Sequence, residues 1–139
     1  MKQRHIAYWM TTVLVALVFL SSGFFELLRP AGLMEGMRRL GYPDYLVTIL
    51  GIWKIPGGIV VLLPRTPRLK EWAYAGMFFD LSGAAASHAF VGEIAHIPAP
   101  LVILGIVIAS WALRPESRRL GDGAAEKSEE GSAIALPPR

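Results

Sequence analysis

Four ionisable side chains, Glu26, Lys54, Asp80 and His88, stand inside long apolar runs of this 139-residue chain. An unpaired charge in hydrocarbon costs about 3 kcal/mol on insertion scales, so groups of this kind turn inward and find partners. An ammonium facing a carboxylate across two helices can fix helix register, hydrogen-bond a ligand headgroup or pass a proton. Ser87 adds a hydroxyl beside His88. Trp53, Phe78, Phe79 and Phe90 serve either core packing or the lining of an apolar pocket at that level. His88 alone makes no metal or haem site: His5 belongs to the opposite end of the chain's first helix, and His96 lies in a loop. No metal is therefore expected. The chain has no cysteine, which excludes thiol–disulfide chemistry, iron–sulfur clusters and thiolate-bound zinc.

The elements that must carry these groups follow from composition. Hydrophobic residues make up 53% of the chain and charged residues 18%, and the mean hydropathy is +0.44. A soluble domain carries about 25% charge and distributes its apolar residues into stripes, whereas here they form runs long enough to cross a bilayer. The expected fold is all-α: an integral membrane four-helix bundle over residues 1–114, followed by a disordered polar cytoplasmic tail over 115–139. Span one covers residues 6–28. A cleaved signal peptide is the other reading of that run, but no small-x-small site follows it, and Glu26 and Arg29 suit the outer end of a retained span. Between Arg29 and Asp44, apolar Leu33, Met34, Met37 and Leu40 alternate with Glu35, Arg38 and Arg39, which allows a short helix lying in the interface. Span two covers 45–63 and stops at Pro64-Arg65-Thr66-Pro67. Span three, 72–91, is rich in Gly, Ala and Ser and is expected to pack centrally. Span four covers 98–113, with Pro98 and Pro100 in its first turn.

Lys and Arg on alternate sides set the orientation. The N-terminus, the second loop and the start of the tail hold Lys2, Arg4, Arg65, Arg68, Lys70, Arg114, Arg118 and Arg119, against Arg29, Arg38 and Arg39 on the other side. Both termini are expected in the cytoplasm, in a multi-pass protein of the bacterial inner (plasma) membrane. Tyr8, Trp9, Trp72, Tyr74 and Trp111 are then expected in the inner aromatic belt, and Tyr42 and Tyr45 in the outer one. At 1.5 Å per residue, Lys54 and Asp80 lie about 14 and 16 Å below the outer boundary, whereas Glu26 and His88 lie close to it. This predicts a buried Lys54–Asp80 pair with Glu26 and His88 above it, near the outer mouth.

Several motifs occur in order along these spans: Leu40-Gly41-Tyr42-Pro43, Gly51-Ile52-Trp53-Lys54, Leu62-Leu63-Pro64-Arg65, Lys70-Glu71-Trp72-Ala73-Tyr74-Ala75-Gly76 and Gly83-Ala84-Ala85-Ala86-Ser87-His88. Over residues 6–113 the chain resembles the DoxX-like family of small four-span bacterial membrane proteins. The resemblance implies the fold, and it makes Lys54 the in-membrane lysine of the family and Ser87 and His88 the polar end of its third helix. The family takes its name from a subunit of a thiosulfate:quinone oxidoreductase. Relatives linked to thiol redox work are poor guides for a chain without cysteine.

Three functions compete. The first is a non-enzymatic subunit or accessory factor of a larger membrane system, or of a homo-oligomer. It is favoured by the lack of a soluble domain, a nucleotide-binding loop or a nucleophile beside a base, and no stand-alone activity is expected. The second is a quinone- or lipid-binding protein, with Glu26, Lys54, Asp80, Ser87 and His88 as the polar pocket and Trp53, Phe78 and Phe79 as its apolar wall; a quinone is the one candidate cofactor. The third is proton or solute translocation, which needs an oligomer because four spans make a thin wall. The lipid bilayer is the certain partner, and nucleic acid is excluded. An enclosed cavity at the charged level would favour the second reading, and a solid core the first.

Overall fold

The computed structural model describes residues 1–119, and they fold into helices joined by short turns. Helix α1 spans Lys2–Leu28, α2 Ala31–Arg39, α3 Asp44–Leu62, α4 Pro67–Phe90 and α5 Pro98–Ala112. Two 3-10 turns, Ile94–His96 and Glu116–Arg118, complete the described elements. α1 ends where Arg29 adopts left-handed geometry (φ 51, ψ 51) and Pro30 follows, which cannot extend a helix. α4 starts five residues before the expected span because Pro67 occupies its first turn, where the missing amide proton costs nothing. α3 continues past Pro56, an interior proline of the kind that membrane helices tolerate better than soluble ones.

α1 packs on α3 and α5, and α4 packs on the same two, so the four long helices close a ring. α2 lies against α3 and buries Met34, which matches the short helix expected between the first two spans. α1, α3 and the segment Ile94–Ala112 are long and apolar enough to cross a membrane. α4 has 24 residues, about 36 Å, and length is not what sets it apart. Asp80, together with its Gly, Ala and Ser residues and the charged Lys70 and Glu71 at its start, lowers its apolar character.

The core is small: Val15, Ala16 and Phe19 from α1 meet Val61, Tyr74, Met77, Leu81, Leu104 and Val107. Leu17, Phe24, Phe25, Ile52, Phe79 and Val102 point outward. A bundle that is apolar on its outside as well as its inside is built for lipid. Its closest helix contact is between α1 and α3, where glycine is required. A Cβ on Gly51 would stand 2.9 Å from the Gly23 carbonyl oxygen, and one on Gly23 would stand 2.9 Å from Lys54 Cβ. Small side chains were expected to do this on α4, yet Gly76 and Gly83 would meet nothing within 4 Å. Close approach needs small residues facing each other on two helices, and among the described glycines those with an added Cβ under 3 Å from a neighbour, Gly23, Gly51 and Gly58, lie on the α1–α3 seam.

At the end of the bundle where the chain begins, polar groups are tied inside. Ser110 Oγ lies 2.8 Å from both Thr12 Oγ1 and Tyr74 Oη, joining α1, α4 and α5. Lys70 is fully buried and donates to the Val60 and Val61 carbonyls at 2.8 and 2.6 Å, which closes the open end of α3. Tyr8 and Tyr74 are thus buried rather than placed in the aromatic belt, while Trp72 and Trp111 remain exposed. Residues 115–119, assigned on composition to the tail, stay on the bundle: Arg118 donates to Tyr8 Oη and the Leu62 carbonyl, each at 3.3 Å. The rest of the tail, residues 120–139, lies outside the described residues.

Candidate functional site

The Gly23–Gly51 contact brings Glu26, three residues along α1, over Lys54, three residues along α3. Lys54 Nζ lies 2.5 Å from Glu26 Oε1 and 3.3 Å from Asp80 Oδ2 on α4. The three side chains are only 14, 11 and 18% exposed. Ser22, one turn before Glu26, stands 3.4 Å from both the ammonium and the Glu26 carboxylate. The Phe19 ring closes the group from below, with its centroid 6.0 Å from Nζ. One ammonium is therefore shared by two carboxylates from different helices. Glu26 Oε2 is buried with no hydrogen-bond partner among the described residues, so the group has room to accept one more donor or one proton.

Beside this group a groove of about 360 Å³ runs between α3 and α4. Lys54 and Asp80 are the only charged residues in its wall among the described residues, and Phe19, Leu50, Val60 and Met77 form much of the rest. Gly57, Ala73 and Gly76 contribute the small side chains that leave the space open, and exposed Trp53 and Trp72 flank its opening onto the outer surface. On α4 the lining residues Ala73, Gly76, Met77 and Asp80 recur at spacings of three and four, which places them on one helix face.

That periodicity also decides which expected residues fall away from the groove. Phe78 and Phe79 lie on other faces of α4; their rings meet each other edge to face at 5.6 Å, and Phe79 is 71% exposed. Phe78 instead joins Tyr74, Val107 and Trp111 around a second cavity of about 310 Å³, between α4 and α5. Trp53 lines the groove from its exposed rim.

The expected polar pocket divides into two. Glu26, placed by residue counting at a shallower level, reaches Lys54. Ser87 and His88 do not: Ser87 Oγ lies 2.5 Å from Tyr42 Oη, the residue that follows the turn after α2, and also donates to the Gly83 carbonyl. His88 Nδ1 pairs with Glu93 Oε2 at 2.9 Å. Sequence reasoning missed the partners Ser22, Tyr42 and Glu93. Ser22 was legible as a polar residue one turn before Glu26 on the same face.

A model of the DoxX-like family matches residues 10–110 of this chain. The matched stretch contains Glu26, Lys54 and Asp80 and most of all four long helices. No curated protein and no solved structure matches.

Proposed function

Since the chain belongs to the DoxX-like family, a membrane family whose membership gives it a fold but no reaction, we propose from its geometry that it binds a membrane amphiphile of the quinone or lipid class. The occupant's apolar tail lies in the α3–α4 groove, and its polar head reaches Lys54 and Asp80. In this reading α4 crosses the bilayer with α1, α3 and α5, and both termini face the cytoplasm.

The observation that carries the proposal is the charge placement: an apolar groove whose two charged wall residues, an ammonium and a carboxylate, belong to one buried group. Such a wall offers a hydrogen-bond donor and an acceptor to a carbonyl or hydroxyl headgroup, while the apolar walls take the tail. The groove opens on a surface that lipid covers, so an amphiphile enters sideways without crossing water.

The test uses Gly76→Leu. A Cβ at this position meets nothing within 4 Å, and Gly76 lines the groove; replacing Gly by Leu inside a helix favours the helix by about 0.8 kcal/mol. Wild type and variant are purified in native lipid discs, and the quinones and lipids that remain bound are quantified by mass spectrometry. A species enriched with the wild type and lost from a folded Gly76→Leu protein supports the proposal. Identical bound species in both would refute it.

An accessory role in a larger assembly is the second reading, favoured by Ala75, Ala86 and Ala89, which α4 leaves exposed and which let a neighbouring helix approach closely. A protein partner recovered with both the wild type and Gly76→Leu, with no bound amphiphile in either, would favour it.

A further inference from the structure

We propose that His88, Glu93 and His96 form a binding site for one divalent transition-metal ion of the zinc class, at the end of the bundle that also carries α2. One ligand atom from each of the three side chains lies within 4.8 Å of the others. Glu93 Oε2 lies 2.9 Å from His88 Nδ1 and 3.8 Å from His96 Nδ1. The two imidazoles stack at 5.2 Å with 22° between their planes.

The backbone builds this cluster locally. α4 ends in a glycine-dependent reversal: Gly92 takes φ +78, its N–H donates to the Ala89 carbonyl at 3.2 Å, and the Glu93 N–H donates to the His88 carbonyl at 2.9 Å. These are the paired bonds that close a helix when the residue after its last turn is left-handed. They fold Glu93 back over His88. The following 3-10 turn, with the His96 N–H donating to the Glu93 carbonyl at 3.0 Å, returns the second imidazole to the same place. A stretch of nine residues thus presents three ligands whose positions are fixed by main-chain bonds rather than by the rest of the fold.

The donor set selects the ion. Two imidazole nitrogens and one carboxylate oxygen suit zinc, cobalt, nickel or copper, whereas calcium and magnesium require more oxygens. Three protein ligands leave a fourth position for water or an exogenous group. Tetrahedral zinc at about 2.0–2.1 Å from each ligand needs ligand atoms about 3.3 Å apart. The His88–Glu93 pair already has nearly that spacing, and His96, with its side chain 65% exposed, is free to draw in. The nearest Lys and Arg in sequence are Lys70 and Arg114, so no basic residue adjoins the ligands along the chain.

The experiment titrates the full chain in lipid discs with Co²⁺, reading the visible absorption that His and carboxylate coordination produces, and then displaces it with Zn²⁺. The expected result is saturable binding of one equivalent, weakened at least tenfold in each of His88→Ala, Glu93→Gln and His96→Ala and unchanged in His5→Ala. His96→Ala removes an exposed side chain and keeps the fold, and Glu93→Gln keeps a hydrogen-bond acceptor for His88 while removing the anionic ligand. Zn²⁺ should also raise the thermal midpoint of the wild type but not that of the His88→Ala/His96→Ala protein. Absence of saturable Co²⁺ binding, or binding that the ligand variants leave unchanged or that His5→Ala abolishes, overturns the proposal.

Discussion

Replacing Lys54 by Met removes the ammonium that two carboxylates share, and the three-charge geometry predicts an order of losses that a simple ion pair would not give. At 3.3 Å and an effective dielectric of about 20, the Lys54–Asp80 attraction is about 5 kcal/mol gross, and the Glu26 contact at 2.5 Å is somewhat larger. Most of that gross attraction only offsets the desolvation of the charges, so the net effects are smaller. With all three ionised, the group carries one excess negative charge. Asp80→Asn removes that excess, leaves the Glu26–Lys54 pair intact and keeps a side chain able to hydrogen-bond, so its cost should be about 1 kcal/mol or less. Glu26→Gln should behave similarly through the Asp80 contact. Lys54→Met strands two buried carboxylates and should cost about 3 to 5 kcal/mol. Lys54→Met/Asp80→Asn still strands Glu26, and only the triple variant with Glu26→Gln should recover most of the loss. Equilibrium unfolding of the five proteins beside the wild type, in one mixed-micelle system, measures these differences. If Lys54→Met costs no more than Asp80→Asn, or if the triple variant is worse than Lys54→Met, the three residues do not act as one electrostatic unit and the reasoning fails.

The helix seam makes a second prediction. Gly51→Ala puts a methyl group 2.9 Å from the Gly23 carbonyl oxygen, so α1 and α3 must separate. The expected cost is about 1 to 3 kcal/mol, whereas Gly83→Ala, with open space around it, should be neutral or slightly stabilising in the same unfolding assay. Orientation is testable because the chain lacks cysteine: a single cysteine at Gly92 should react with a membrane-impermeant maleimide on intact cells, and one at Gly123 should not. The reverse pattern would place both termini outside.

The elements were legible in the sequence because membrane insertion is a local property. Apolar run length, Pro67 and Pro98 at helix starts, and glycine or proline at the breaks each act within a few residues, so the four long helices and the short helix after the first lie close to where residue-by-residue reading puts them. Lys54 and Asp80 were also legible as partners, because depth along antiparallel helices is simple arithmetic when the helix ends are level. Glu26 was misplaced because the ends of α1 and α3 are not level. Gly23 packs against Gly51 and Lys54, five residues from the end of α1 but seven and ten from the start of α3, an offset of about 3 to 8 Å. The glycines that permit this contact are visible in the sequence, but their choice of each other is not, since Gly76 and Gly83 offered the same chemistry on α4. The rotation of α4 was equally unreadable. Its hydrophobicity is nearly uniform around the axis, so only packing between α3 and α5 turns Asp80 to the groove and Phe79 away from it. The His88, Glu93 and His96 cluster is the opposite case: every bond that assembles it is local, and Gly92, four residues after His88, was the signal for the reversal. What the sequence determined is what neighbouring residues impose on one another along the chain. Which faces meet across helices was decided by close packing in three dimensions, where a few ångströms of offset or a fraction of a turn selects the partner of a charge.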